Sequence, residues 1–120
     1  MNPRFQSPQQ VFEAALRAGT LQVQQCGACG ALRFPPREVC HTCLRFDAAW
    51  RELPPHGRVA SYIVVHATTI AEHETPFCVV HVDIDGGLRM TGKLTRGTPA
   101  VGLRVRASSV ERDGKPVLQF

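Results

Sequence analysis

Two Cys-x-x-Cys pairs, Cys26-Gly27-Ala28-Cys29 and Cys40-His41-Thr42-Cys43, stand ten residues apart in this chain of 120 residues. Two residues between paired cysteines let both thiolates reach one ion from a single tight turn, and two such turns complete a tetrahedron. The stretch from Cys26 to Cys43 holds two prolines and few core-forming side chains, so it has no hydrophobic core with which to fold. In such peptides a structural zinc contributes folding free energy on the order of 10 kcal/mol. The pairs therefore dictate a metal-held ribbon. Zinc suits Cys26, Cys29, Cys40 and Cys43 better than iron or redox-active disulfides, because nothing nearby suggests an electron-transfer partner. His41, inside the second knuckle, is a poor substitute ligand. Four thiolates leave no position open for water, which makes the ion structural and not a Lewis acid.

Hydrophobic residues make up 43% of the chain and charged residues 20%, values that allow a real core and argue against a disordered or membrane-embedded class. No run approaches the roughly 18 apolar residues of a membrane span, and residues 1–20 lack the basic-then-apolar order of a secretory signal. The expected location is the cytoplasm, where close cysteine pairs hold metal in preference to disulfides. A formal net charge of +4 favours nucleic acid or a phosphate-bearing cofactor over a basic ligand, although its modest size is better explained by solubility alone.

Residues 7–19 read as a helix. Ser7 is the N-cap, Pro8 takes the first helical position, Gln10 completes a capping box, and Gly19 marks the stop. Val11, Phe12, Ala15 and Leu16 fall on one side of a 3.6-residue wheel, with Gln10, Glu13 and Arg17 on the other. A helix this short is marginal alone, so its apolar face must dock, either on its own chain or on another protein.

From Gly57 onward the pattern changes to alternating strands: Val59 to His66, Phe77 to Asp85, Leu88 to Thr95, Arg104 to Glu111 and Pro116 to Phe120. Asp85-Gly86-Gly87 and Arg112-Asp113-Gly114-Lys115 supply the tight turns. Five short antiparallel strands most simply close into a small barrel, of which the OB-fold is the commonest form. The expected fold is mainly β. It comprises an N-terminal helix (1–20), a zinc ribbon (21–50) and a five-stranded OB-fold barrel (51–120), with Trp50 packing ribbon against barrel.

Cys78 and His81 suggest a thiol and a base, yet an odd separation along a strand sends them to opposite faces. Cys78 is expected to be a buried structural residue. His66, His73 and His81 are scattered, Asp85 is explained by its turn, and no phosphate loop, dinucleotide fingerprint or nucleophile elbow occurs. Arg89, Lys93 and Arg96 on or beyond the third strand, with Arg104 and Arg106 on the fourth, are candidates for a phosphate-binding patch, against a merely solvated face.

In its order of features the chain resembles a family of small proteins that partner thiolase-type enzymes, built from an N-terminal helix, a rubredoxin-like zinc ribbon and a C-terminal OB-fold. The resemblance rests on Leu21 leading into Cys26-Gly27-Ala28-Cys29-Gly30, on Phe34-Pro35-Pro36-Arg37 before Cys40 and Cys43, and on Trp50. It extends through Gly57-Arg58-Val59-Ala60-Ser61-Tyr62 and Leu88-Arg89-Met90-Thr91-Gly92. Two features depart from it: His41 where many relatives have proline, and a loop over 67–76 rich in His and Glu and lacking aromatic residues. The resemblance implies a non-catalytic accessory subunit of a thiolase-like or aldolase enzyme that helps to bind or channel acyl-CoA, with zinc as structural metal and a coenzyme A thioester as ligand. The alternative is a module for single-stranded nucleic acid. It is disfavoured because the barrel offers only Tyr62, Phe77 and Phe120 for base stacking.

Overall fold

The computed structural model describes residues 7–67 and 76–120. His73 and most of the 67–76 loop lie outside the described residues.

Helix α1, Pro8–Arg17, begins where the capping signals place it: the Gln10 N–H donates to Ser7 Oγ at 3.3 Å, and the Ser7 N–H donates to Gln10 Oε1 at 2.9 Å. Gly19, at φ 91°, turns the chain out of the helix. The two docking alternatives resolve in favour of the chain itself. Phe12 and Leu16 are buried, and the helix packs on the first strand of the ribbon and the last two strands of the barrel. Ser109 Oγ donates to the Leu16 carbonyl at 3.3 Å, and the exposed Arg17 side chain pairs with Glu111 at 2.6 Å.

Strands β1, Leu21–Cys26, β2, Leu32–Arg33, and β3, Ala48–Leu53, form an antiparallel sheet in the order β2-β1-β3. Leu21 and Val23 of β1 and Leu53 of β3 are buried, so the sheet's inner face completes the core that the cysteine-bearing turns lack. Trp50, half-buried on β3, packs against that core.

The second sheet contains β4, His56–Val65, β5, Phe77–Ile84, β6, Leu88–Lys93, β7, Arg104–Arg106, β8, Ser108–Arg112, and β9, Lys115–Gln119, in the order β7-β4-β5-β6-β9-β8. The expected fourth strand, Arg104 to Glu111, is not continuous. It breaks at Ala107, because β7 pairs with β4 at one edge of the sheet while β8 pairs with β9 at the other. The chain at Ala107 thus crosses from edge to edge and curls the sheet into a half-barrel. The small Ala107 side chain is buried at this corner, and its N–H donates to the Pro55 carbonyl at 2.7 Å. A register shift between Val59 and Ser61 adds a bulge to β4, which bends the strand and increases its twist.

Alternation sets the interior. Val80, Val82 and Ile84 of β5 point inward and are buried, whereas His81 and Asp83 face solvent. With Val59, Met90 and Phe120 they join Phe12, Leu16, Leu21, Val23 and Leu53 in one hydrophobic cluster running through helix, ribbon sheet and barrel. Each such side chain contributes about 1.5–3 kcal/mol on burial. No helix among the described residues is long and apolar enough to cross a membrane.

Candidate metal centre and barrel cleft

The two knuckles are built alike. In the first, the Gly30 N–H donates to the Cys26 carbonyl at 3.0 Å; in the second, the Leu44 N–H donates to the Cys40 carbonyl at 3.0 Å. Both closing residues adopt positive φ, 79° at Gly30 and 64° at Leu44. The paired turns bring the sulfurs of Cys26, Cys29, Cys40 and Cys43 within 4.8 Å of one another, with 3.5 Å between Cys26 and Cys43 and 3.6 Å between Cys29 and Cys40. A tetrahedron with zinc–sulfur bonds of about 2.3 Å has edges of about 3.8 Å. The donor set and its spacing fit a zinc ion. His41 is exposed and outside the cluster.

Backbone dipoles prepare the sulfurs. The N–H groups of Cys29 and Ala28 hold the Cys26 thiol down at about 6, and those of Cys43 and Thr42 lower Cys40, the Thr42 nitrogen lying 3.4 Å from its sulfur. At Cys43 an Arg45 backbone N–H acts in the lowering direction, but burial and the three neighbouring thiols push it up to about 11. The backbone dipoles thus lower one thiol in each knuckle, while the crowded Cys43 holds its proton until metal displaces it.

Arg33 is a site residue that no sequence motif marks. It is fully buried beside this centre, its guanidinium directed at the carbonyls of Glu38, Arg45 and Asp47. A lone arginine in a short strand between two knuckles gives only a weak sequence signal, since arginine is ordinarily exposed.

Of the five basic candidates, three are brought together. Arg96, Arg104 and Arg106 line a cleft of about 350 Å³, with Leu94, Leu103, Val105 and Phe120 contributing apolar walls. The other two lie apart from it. Arg89 makes a two-pronged pair with Asp83 at 2.8 and 3.2 Å, and the Lys93 ammonium sits 5.1 Å from the centroid of the Phe77 ring. Arg104 is itself paired with Asp85, at 3.1 and 3.2 Å. Arg89 holds the Asp83 carboxyl below its ordinary range, and Arg104 does the same for Asp85. Arg96 and Arg106 have no ion-pair partner among the described residues.

Cys78 packs against the core from the inner face of β5, where burial pushes its thiol up. His81 faces outward and shares a hydrogen bond of 2.9 Å with Thr91 Oγ1. The two do not form a nucleophile and base.

Residues 14–47 match the family model described as the ChsH2 rubredoxin-like zinc ribbon domain, and residues 50–110 match the one described as the ChsH2 C-terminal OB-fold domain. The chain is 35% identical over 105 residues to the "Probable enoyl-CoA hydratase alpha subunit" of Thermomonospora curvata, a match that covers 85% of this chain and 33% of that protein. It is 31% identical over 99 residues to a DUF35 domain-containing scaffold protein of Methanocaldococcus jannaschii, covering 75% of this chain and 69% of the relative. Among solved structures it superimposes on a chain of the Ltp2-ChsH2(DUF35) aldolase with a TM-score of 0.82 and 28% identity, over 99% of this chain and 97% of that one. The chain therefore spans about a third of the Thermomonospora relative and nearly all of the aldolase-complex chain.

Proposed function

Because the chain belongs to the ChsH2 family of rubredoxin-like zinc-ribbon and OB-fold proteins, we propose that it is a non-catalytic accessory subunit of a thiolase-like or aldolase enzyme. In this reading it docks on the catalytic subunit and helps to bind or channel an acyl-CoA, in a reducing, cytoplasmic compartment. The observation that carries the ligand part is the cleft: apolar walls of Leu94, Leu103, Val105 and Phe120, rimmed by Arg96 and Arg106. An apolar trough with cations at its edge suits a pantetheine chain ending in phosphates. The zinc centre supports a structural role, since four thiolates leave the ion no open position, and the ribbon would serve as scaffold. The names of the relatives, a scaffold protein, a hydratase subunit and an aldolase complex, point the same way.

The nucleic-acid alternative has less support. Phe120 is buried and the Phe77 ring lies under Lys93, which leaves Tyr62 as the exposed ring among the three considered for stacking.

The test is affinity purification of tagged protein from its native cell, followed by calorimetry with acyl-CoA on whatever complex is recovered. Recovery of a thiolase-fold or aldolase subunit, with acyl-CoA binding weakened by Arg96→Ala and Arg106→Ala, is the expected result. Recovery of the chain without such a subunit, and no heat on addition of acyl-CoA, would overturn the reading.

A further inference from the structure

Arg33 is a buried cation with no carboxylate partner among the described residues; all of its hydrogen bonds run to backbone carbonyls. Its Nη1 donates to Glu38 O at 3.4 Å, and its Nη2 donates to Arg45 O at 3.2 Å and Asp47 O at 2.6 Å. The last two carbonyls each also accept an N–H from a cysteine knuckle. Arg45 O takes the Cys40 N–H at 2.8 Å, and Asp47 O takes the Gly27 N–H at 3.4 Å. One guanidinium nitrogen therefore ties the first knuckle to the second through two shared acceptors, which a carbonyl with two lone pairs allows.

We infer that Arg33 is the positioning residue of the metal centre, holding the two knuckles at tetrahedral spacing and placing a buried positive charge beside the four thiolates. Four thiolates around a dication leave a net charge of −2. A buried guanidinium without a counter-charge is strongly disfavoured, and the dianion beside it, buried at Cys26 and Cys40 and open to solvent at Cys29, offsets part of that cost. The role gives a residue type that is ordinarily exposed a reason to be fully buried on β2; its Nε has no hydrogen-bond partner among the described residues. The planar guanidinium reaches the three carbonyls from two separate nitrogens, a spread that the single ammonium nitrogen of lysine does not match. Outer partners of this kind typically govern metal affinity by 10–100-fold.

Arg33→Met keeps a long apolar stem and removes charge and donors; Arg33→Lys keeps the charge and removes the fork. Both are compared with Phe34→Leu, which loosens the ribbon's packing on α1 without touching the shared carbonyls. Zinc affinity is measured on the full chain by competition with a chromophoric chelator, and cobalt(II) substitution reports the four-sulfur geometry. The expected result is a zinc affinity weakened roughly 10–100-fold in Arg33→Met and roughly tenfold in Arg33→Lys, with a tetrathiolate cobalt spectrum whose bands are shifted. In Phe34→Leu the thermal midpoint falls while zinc affinity stays close to the parent's. An Arg33→Met affinity indistinguishable from the parent, or reduced only as much as in Phe34→Leu, overturns the proposal. Should Arg33→Met fail to fold, Arg33→Lys decides alone: parental affinity overturns the assignment and a tenfold loss supports it.

Discussion

Phe12 of the helix meets Phe34 of the ribbon edge to face, with ring centroids 5.4 Å apart and planes at 61°. This contact joins an element that is marginal alone to one that depends on metal, and both rings belong to or pack against the common core. Truncation of a buried phenylalanine costs about 3–5 kcal/mol. Phe12→Ala should therefore lower the denaturation midpoint strongly and release α1. Trp50, the single tryptophan, offers the fluorescence signal; an unchanged midpoint would show that the helix is not integral to the fold.

Removal of one thiolate should abolish the metal site. Cys40→Ser is expected to carry no stoichiometric zinc by elemental analysis and to lose the ribbon, because the ion supplies on the order of 10 kcal/mol that residues 26–43 cannot replace by burial. A strong chelator should reproduce the effect in the parent protein, and added zinc should reverse it. Full zinc content in Cys40→Ser would contradict the assignment of that ligand.

Zinc affinity should rise with pH. Metal binding requires four thiolates; without metal, Cys26 ionises at about 6 and Cys43 only at about 11. Near neutrality zinc must displace the Cys43 proton, and as pH falls through 6 it must displace the Cys26 proton as well. Competition titrations between pH 6 and 9 should show monotonic strengthening. A flat profile would mean that the thiols are not titrating as the knuckle dipoles require.

The pairs Asp83 with Arg89 and Asp85 with Arg104 add a separate acid limb. Both carboxyls lie below 3.8 in the folded chain. Their contribution is thus fully present above the unfolded value and is lost as pH falls through the folded one. The double change Asp83→Asn with Asp85→Asn should leave the thermal midpoint at pH 7 little altered, since exposed pairs are weak, and should flatten its decline below about pH 4. An equal decline in both proteins would remove these pairs from the account.

Gly57 is held by close approach of strands. A Cβ there would strike the Asp83 carbonyl and come within 2.7 Å of Val82 Cγ1. Backbone in a paired strand cannot retreat as a flexible side chain can, so Gly57→Ala should destabilise by about 1–3 kcal/mol. Thermal unfolding of the zinc-loaded protein measures it, and a neutral outcome would mean that β4 and β5 shift freely.

The features legible in the sequence are those written in neighbouring residues. The two knuckles fix a four-sulfur centre because each Cys-x-x-Cys closes within its own turn. Ser7, Pro8 and Gln10 define the start of α1, and Gly86 and Gly114 take the positive φ that their hairpins need. Period-two alternation likewise fixed which faces of β5 carry Cys78 and His81. Tertiary structure decided what depends on distant partners. The break at Ala107 exists because β7 and β8 pair with strands at opposite edges of the sheet, a conflict that no local pattern records. Arg89 and Arg104 are alike in sequence, yet only Arg104 reaches the cleft beside Arg96 and Arg106. Arg33 reads as a surface arginine until Arg45 and Asp47, 12 and 14 residues further on, fold back over it. Its burial requires hydrogen-bond acceptors that only the closed ribbon assembles.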